Sequence, residues 1–360
     1  MYKIIRDPIE MELFSAAWNR LADRAKNPLL RYEWFASCVE AFYSPDQMHI
    51  LIQRSSGSID AIAPLSLLMH KGITTFDLLG TSFLAEPSGF LYHDIQSLEN
   101  LFDRIIALGR PVVLKRLSCE SPEISLLHRL NGHRTRCILR QSSSAPYIRI
   151  TAPWHEFESG ISSRRRYDLR RAKKKAERLG RLSVDIVNPD VSMLDHYLNE
   201  IFSVEAAGWK GRAKTAMMFD DRLKCFFRSY ALAACRLGTL RLCFLRIDGR
   251  PIAIVFAIEC YKKFWVLKIG YDELYSDCSP GILLIHNTIR YAHELGLEAY
   301  EFLGSEERWI QTWTKQNHSF ITAYVYPFSL YGRVGLGLDI ASFIAKKTYY
   351  LFDSYRHRPS

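Results

Sequence analysis

Apolar positions in the second half of the chain change their spacing in a regular order. Leu182–Val187 alternates as a short strand, and Ser192–Ala207 and Asp220–Arg236 then repeat at the three-to-four-residue spacing of amphipathic helices. Three strand-like runs follow, Leu240–Ile247, Pro251–Cys260 and Phe264–Tyr271. Asp248-Gly249 and Lys262-Lys263 separate them at the spacing of tight antiparallel turns. A helix at Gly281–Leu295, a strand at Ala299–Leu303, a short helix at Glu306–Trp313 and a strand at Phe320–Tyr326 complete the series. The first half repeats it loosely. Helices fall at Glu10–Ala25 and Tyr32–Phe42, and strands at Met48–Arg54, Ile59–Leu68 and Thr74–Leu79. A helix at Ser97–Leu108, a strand at Val112–Leu117, a helix at Pro122–Leu130 and a strand at Thr135–Arg140 follow, and the polar stretch Gln141–Ser144 divides the two copies. The pattern predicts an α/β (α+β) chain of two domains, 1–142 and 143–328, each a mixed, mostly antiparallel sheet flanked by helices, with a tail at 329–360.

A length of 360 residues suits two domains of ordinary size, and an apolar content of 48% is enough for each to bury a core. No apolar run reaches the 18 residues of a membrane span, and Met1–Glu12 lacks the apolar centre of a secretory signal, so a cytoplasmic setting is expected. The eight cysteines include no CxxC pair, and His286 and His293 lie seven apart on one helix without a third ligand. A zinc ribbon, a thioredoxin-like site and a metal centre are therefore not expected, and neither a Walker loop nor a dinucleotide fingerprint occurs.

Charge changes the picture locally. The net charge is +10, yet Ser162–Arg178 alone carries nine basic residues against two acids and the tail from Phe328 carries five against two, which leaves the remainder neutral. Leu169, Ala172, Ala176 and Leu179 give the segment 162–180 a narrow apolar stripe at helical spacing. A solvated helix face would account for it. So would an anionic partner, because like charges along a helix repel: a phosphorylated substrate held by Arg166 and Arg170, a tRNA, or an acidic inner-membrane surface. The tail has an amphipathic helical pattern that suits packing on the domain or contact with a membrane surface.

Three further segments carry candidate chemistry. At the junction Tyr271–Leu284 a strand ends and a helix begins: Ser279 suits the N-cap, Pro280 the first helical position, and Gly281 close approach by a ligand. An ordinary capped helix would look the same, but free amides at Ser279, Gly281, Ile282 and Leu283 also suit a diphosphate, with Lys268 and Ile269 on the preceding strand beside it. Trp209 and Lys210, between two glycines and followed by Arg212, suit an acceptor-side loop. In Tyr300–Trp309, Glu301 faces opposite to its strand neighbours. Glu301 or Asp272 could take a proton from an attacking amine, though either alone would also serve as a salt-bridged surface acid.

The runs RRRYDLRRAKKKAERLG, GWKGRAKTA, YDELYSDCSPGILL and YEFLGSEERW, in this order across roughly Ser143–Phe328, resemble the CelD-like acetyltransferase family of the GCN5-related N-acetyltransferase (GNAT) superfamily, related to the Fem-type transferases. The resemblance implies tandem GNAT-like domains of which only the second keeps a donor site, acetyl-CoA or another acyl-CoA as co-substrate, and transfer to an amine of a sugar or envelope-polysaccharide precursor. It also implies that Ser279–Leu283 hold the diphosphate and that Trp209–Arg212, with Trp309, face the acceptor. Family members often place a lysine after that aromatic; here Ile310 follows Trp309, so that lysine has no counterpart. Rival readings are a Fem-type transferase using aminoacyl-tRNA and a non-catalytic accessory protein of polysaccharide synthesis.

Overall fold

A computed structural model describes residues 1–356 except 56, 209–211, 213 and 215, and side chains only as far as residue 345. The chain forms two compact units, Met1–Ala25 with Tyr43–Ser142 and Phe320–Ser360, and Lys26–Phe42 with Ser143–Ser319. The first unit is built on strands β1 (Tyr2–Ile5), β2 (Met48–Ser55), β3 (Ser58–His70), β4 (Ile73–Leu78), β5 (Leu91–Tyr92), β6 (Val112–Ser118) and β7 (Thr135–Gln141). The second has β8 (Ala145–Arg149), β9 (Leu182–Val187), β10 (Leu240–Ile247), β11 (Arg250–Cys260), β12 (Lys263–Tyr271), β13 (Ala299–Glu301) and β14 (Asn317–His318). The last strand, β15 (Phe320–Pro327), returns to the first unit.

Apart from β5, which pairs with β3 at the side of the first sheet, the two sheets match strand for strand. One runs β1-β2-β3-β4-β6-β15-β7 and the other β9-β10-β11-β12-β13-β8-β14. In each, the first four strands are antiparallel, the fourth and fifth are parallel, and the last two pairings are antiparallel. This is a tandem repeat in which the sixth position of each sheet is filled from elsewhere in the sequence: β15 in the first, β8 in the second. The linear division of the sequence differs at these points, since it leaves 320–328 with the second copy and 26–42 with the first. Alternation along Phe320–Tyr326 marks a strand, but a period of two says nothing about which sheet receives it.

In the second unit, Cys243, Leu245, Val255, Ala257, Phe264 and Tyr300 pack against the helices Pro280–Glu294 and Ser163–Glu177. The opposite face is covered by Tyr32–Phe42, Val191–Ala206 and Asp221–Arg236, where Trp34 meets Phe226 and Tyr230 edge-on and Phe227 meets Phe256. Buried aromatic contacts of this kind add to the area term that holds the layers together. No described helix is long and apolar enough to cross a membrane.

Candidate active site

The site begins with a strand that outruns its neighbour. β12 pairs with β13 only from Lys263 to Trp265, opposite Ala299 to Glu301, and then continues to Tyr271 after the two strands have parted. Its other edge stays on β11, with a register shift that leaves Leu267 as an extra residue between the pairs Ala257↔Val266 and Phe256↔Lys268. A bulge re-aims the residues after it and strengthens the local twist. The first unit lacks this device: β4 ends at Leu78, one residue past its last pairing with β6, and the short helix Thr81–Leu84 follows at once. Asp77, bonded by Thr81 and by Lys115 at 3.1 Å, ties that helix across the two strands.

Beside the open edge of β12 lies a cleft of about 400 Å³. It reaches both faces of the sheet, because its walls include Val255, Ile269 and Tyr271 on the side of helix Pro280–Glu294, and Ile254, Gly270 and Glu205 on the side of helix Val191–Ala206. Gly208, Ser276, Ser279, Pro280, Gly281, Ile282, Ile285, Glu307 and Trp309 complete it.

Asp272 closes β12. Its Oδ1 accepts from the Leu274 N–H at 3.0 Å and its Oδ2 from Arg250 at 3.1 Å, so this buried carboxylate caps the 3-10 turn Glu273–Cys278. Ser279 then takes a left-handed conformation (φ 47°). Its side chain makes no cap bond; instead its carbonyl accepts from Ile282 at 3.1 Å and Leu283 at 3.2 Å. The expected hydroxyl cap is thereby corrected: the turn turns the carbonyl, rather than Oγ, onto the first helical amides. Those two amides are used, Pro280 has none, and the N–H of Gly281, a residue that lines the cleft, has no protein acceptor among the described residues. A Cβ at Gly281 would touch the Tyr271 ring at 3.4 Å, so longer side chains there run into the cleft.

Other expected site residues lie elsewhere. Leu283 is buried in the core below the helix rather than at the cleft. Lys268 points to the opposite face of the sheet, with its ammonium 5.5 Å from the Phe227 ring, because strand alternation sends it away from Ile269. Glu301 does not line the cleft. Its carboxylate is buried beneath Lys263 and His318, each at 3.0 Å, and the His318 ring stacks on Tyr147. Burial alone would raise this carboxyl, but hydrogen bonds and charge from His318 and Lys263 outweigh it and hold the group below the usual carboxylate range. A carboxylate held low is a weak proton acceptor. Its position makes it a strut between β12, β13 and β14. Glu301→Gln is expected to cost about 1–3 kcal/mol of unfolding free energy in a denaturant titration and to leave ligand binding at the cleft unchanged; an unaltered midpoint would argue against the strut.

Trp309 lines the cleft, with its indole N–H donating to Glu307 at 2.7 Å. Arg212 is exposed and pairs with Glu273; Trp209 and Lys210 lie outside the described residues. Arg166 is half-buried and Arg170 exposed on the basic helix, and neither lines the cleft. That helix packs through Leu169, Ala172 and Ala176, and Lys175 donates to the Asp277 carbonyl at 3.1 Å, which brings its positive field to the rim. His286 and His293 are packed around Trp154, and no described group of three His, Cys, Asp or Glu could hold a metal ion.

Glu205 was not singled out from the sequence, although a signal is present. It sits in the last turn of its helix, where the macrodipole disfavours a negative charge. In the fold it is buried, accepts from the Met217 N–H at 2.8 Å and walls the cleft. A Cβ at Gly270 would lie 3.0 Å from the Glu205 Cα, so the absence of a side chain there lets the helix seat this acid on the strand.

Residues 163–310 match the acetyltransferase (GNAT) domain family, so the second unit carries a GNAT-type acyltransferase domain. Among solved structures, FemX is 12% identical, with 91% of this chain and 97% of that one covered at a TM-score of 0.56. L-PGS from Bacillus licheniformis is 13% identical, covering 88% and 91% at 0.55. A C-terminal domain (DUF2156) from Agrobacterium fabrum, described as that of a lysylphosphatidylglycerol synthetase, is 11% identical, covering 88% and 92% at 0.54. At these identities the likeness is one of fold. No curated protein matches the sequence.

Proposed function

We propose that the chain is an acyl-CoA-dependent N-acyltransferase of the CelD-like kind, moving an acetyl or similar group to an amine on a sugar or envelope-polysaccharide precursor, with the first unit as a degenerate copy without a donor site. The observation that carries this reading is the cleft at the open edge of β12, which joins a helix N-terminus on one face of the sheet to a buried carboxylate on the other. The Gly281 amide and the positive end of helix Pro280–Glu294 suit a diphosphate, with the basic helix adding attraction at the rim. Ile269, Ile282 and Ile285 supply apolar wall for a thioester arm laid along the strand edge. The parted strand offers backbone N–H groups to polarise a carbonyl.

From the other face an amine meets Glu205. The carboxylate takes a proton from the ammonium form, the nitrogen lone pair attacks the thioester carbon, and the carbon–sulfur bond breaks to release a thiolate, which takes up the surplus proton that the attacking nitrogen gives up as it becomes an amide. No covalent intermediate on the protein is needed. Geometry thus favours Glu205, which walls the cleft, over Asp272 and Glu301, which do not.

Calorimetry with acetyl-CoA tests the donor side. Gly281→Glu places a negative charge where a diphosphate would sit and is expected to weaken binding about a hundredfold or more. Equal binding by both proteins would overturn the reading. A second reading, transfer from aminoacyl-tRNA, rests on the nine basic residues of Ser162–Arg178. Salt-sensitive tRNA binding in a protein that ignores acetyl-CoA would select it.

A further inference from the structure

The C-terminal helix Leu330–Arg356 is built inside out. A helix on a domain surface ordinarily turns its large apolar residues inward. Here the face against the first unit is made by Gly332, Gly335, Leu336, Asp339 and Ser342. The two glycines are there by necessity: a Cβ on Gly332 would collide with the Pro327 carbonyl, and one on Gly335 would lie 2.7 Å from Pro111 and 2.8 Å from Ile73. Asp339 is drawn in by Lys71, Tyr326 and His70. Leu330, Tyr331, Val334, Leu338, Phe343 and Ile344 face out, with Leu330 77% and Ile344 57% exposed. So many exposed large apolar side chains on one helix mark a surface that something covers.

Charge identifies what covers it. Arg110 stands 5.0 Å from the Tyr331 ring and Arg140 5.7 Å from the Phe343 ring, Arg333 is exposed on the helix, and Lys346 and Lys347 follow in sequence. The one acid between residues 330 and 345, Asp339, is turned away. A second copy of the same face would bring arginine against arginine with no carboxylate between them. Apolar and aromatic side chains ringed by cations, without acids, match the interface of a bilayer that carries anionic headgroups. We infer that the outward face of this helix docks the protein on an anionic membrane surface, lying in the interface without crossing it.

The test uses the full chain with vesicles of phosphatidylcholine alone and vesicles that also contain phosphatidylglycerol. Sedimentation with the anionic vesicles, weakened by salt, is expected, with about a tenth or less of that affinity for the neutral ones. The double variant Phe343→Ser, Ile344→Ser is expected to lose tenfold or more in vesicle affinity, since both side chains leave water only on docking. Its thermal midpoint is expected to stay put, because neither residue is in the core. No sedimentation of the wild type with anionic vesicles overturns the inference, as does unchanged sedimentation of the double variant. Analytical ultracentrifugation showing a dimer that this variant dissociates overturns it in favour of a second copy. Acetyl-CoA binding by the same samples reports separately on the cleft.

Discussion

Glu205→Gln is expected to lower kcat about a hundredfold or more while acetyl-CoA binding holds its wild-type strength. The size follows from what a positioned proton acceptor contributes to a transfer step, about 10²–10⁴. Glutamine keeps the shape and can still accept the Met217 N–H, so the turn at Met217–Phe219 and the seat on Gly270 survive. What is lost is the negative charge that draws a proton from an ammonium group arriving at the cleft. The donor wall lies on the other face of the sheet, so binding and turnover come apart in this variant. Thiol release from acetyl-CoA, with an amine that supports turnover by the wild type, gives both parameters. Wild-type kcat in the variant would remove Glu205 from the chemistry.

The second large effect belongs to the first unit. His49 on β2 is buried against Phe76, 4.7 Å between ring centres, and neither ring nitrogen has a partner among the described residues. Burial, with the charges of Arg6 and Arg110 behind it, lowers its pKa from 6.5 to about 4. Between those values the unfolded chain binds the proton and the folded one does not, so stability is fully present above pH 6.5 and is lost as pH falls to about 4. The loss from this one side chain is about 3 kcal/mol, a large part of the margin of an ordinary domain. Carboxylates titrate in the lower part of the same window, so the comparison with His49→Leu isolates the imidazole: denaturant titrations across this range should show the wild type losing about 3 kcal/mol relative to the variant as the solution becomes acid. A gap that stays constant with pH would assign the acid loss elsewhere.

How much of this could be read beforehand varies with the range of the interaction. Local signals carried well. Asp248-Gly249 announces a hairpin, and both residues take the left-handed conformation that such a turn requires. The second hairpin turns one residue early, at Tyr261 and Lys262, because nothing in two adjacent lysines forces positive φ. Ser279-Pro280-Gly281 announces a helix start, and it stands at the cleft. Signals that depend on distant partners did not carry. Glu301 was legible as the residue facing away from its neighbours, yet only the folded register shows Lys263 and His318 waiting for it. The five residues of β8 follow a serine run and have no amphipathic pattern of their own, so a strand with partners on both edges goes unmarked in the sequence. The parting of β12 from β13 is likewise a property of two lengths compared, not of either strand alone.

The reciprocal placement of β8 and β15 bears on how the molecule comes into being. A ribosome working from the amino terminus releases β6 and β7 early, yet the slot between them stays open until residue 327 has cleared the exit tunnel. The nascent first half therefore carries two unzipped strand edges through most of translation, whereas the later half finds its own sixth strand already made. Severing the gene at the serine run would give two fragments, the first without β15, which fills its sheet, and the second with both β8 and β15 but without the helix Tyr32–Phe42 that belongs to its unit. Such fragments would be mutually dependent, with complementation between them, rather than autonomy, as their natural behaviour.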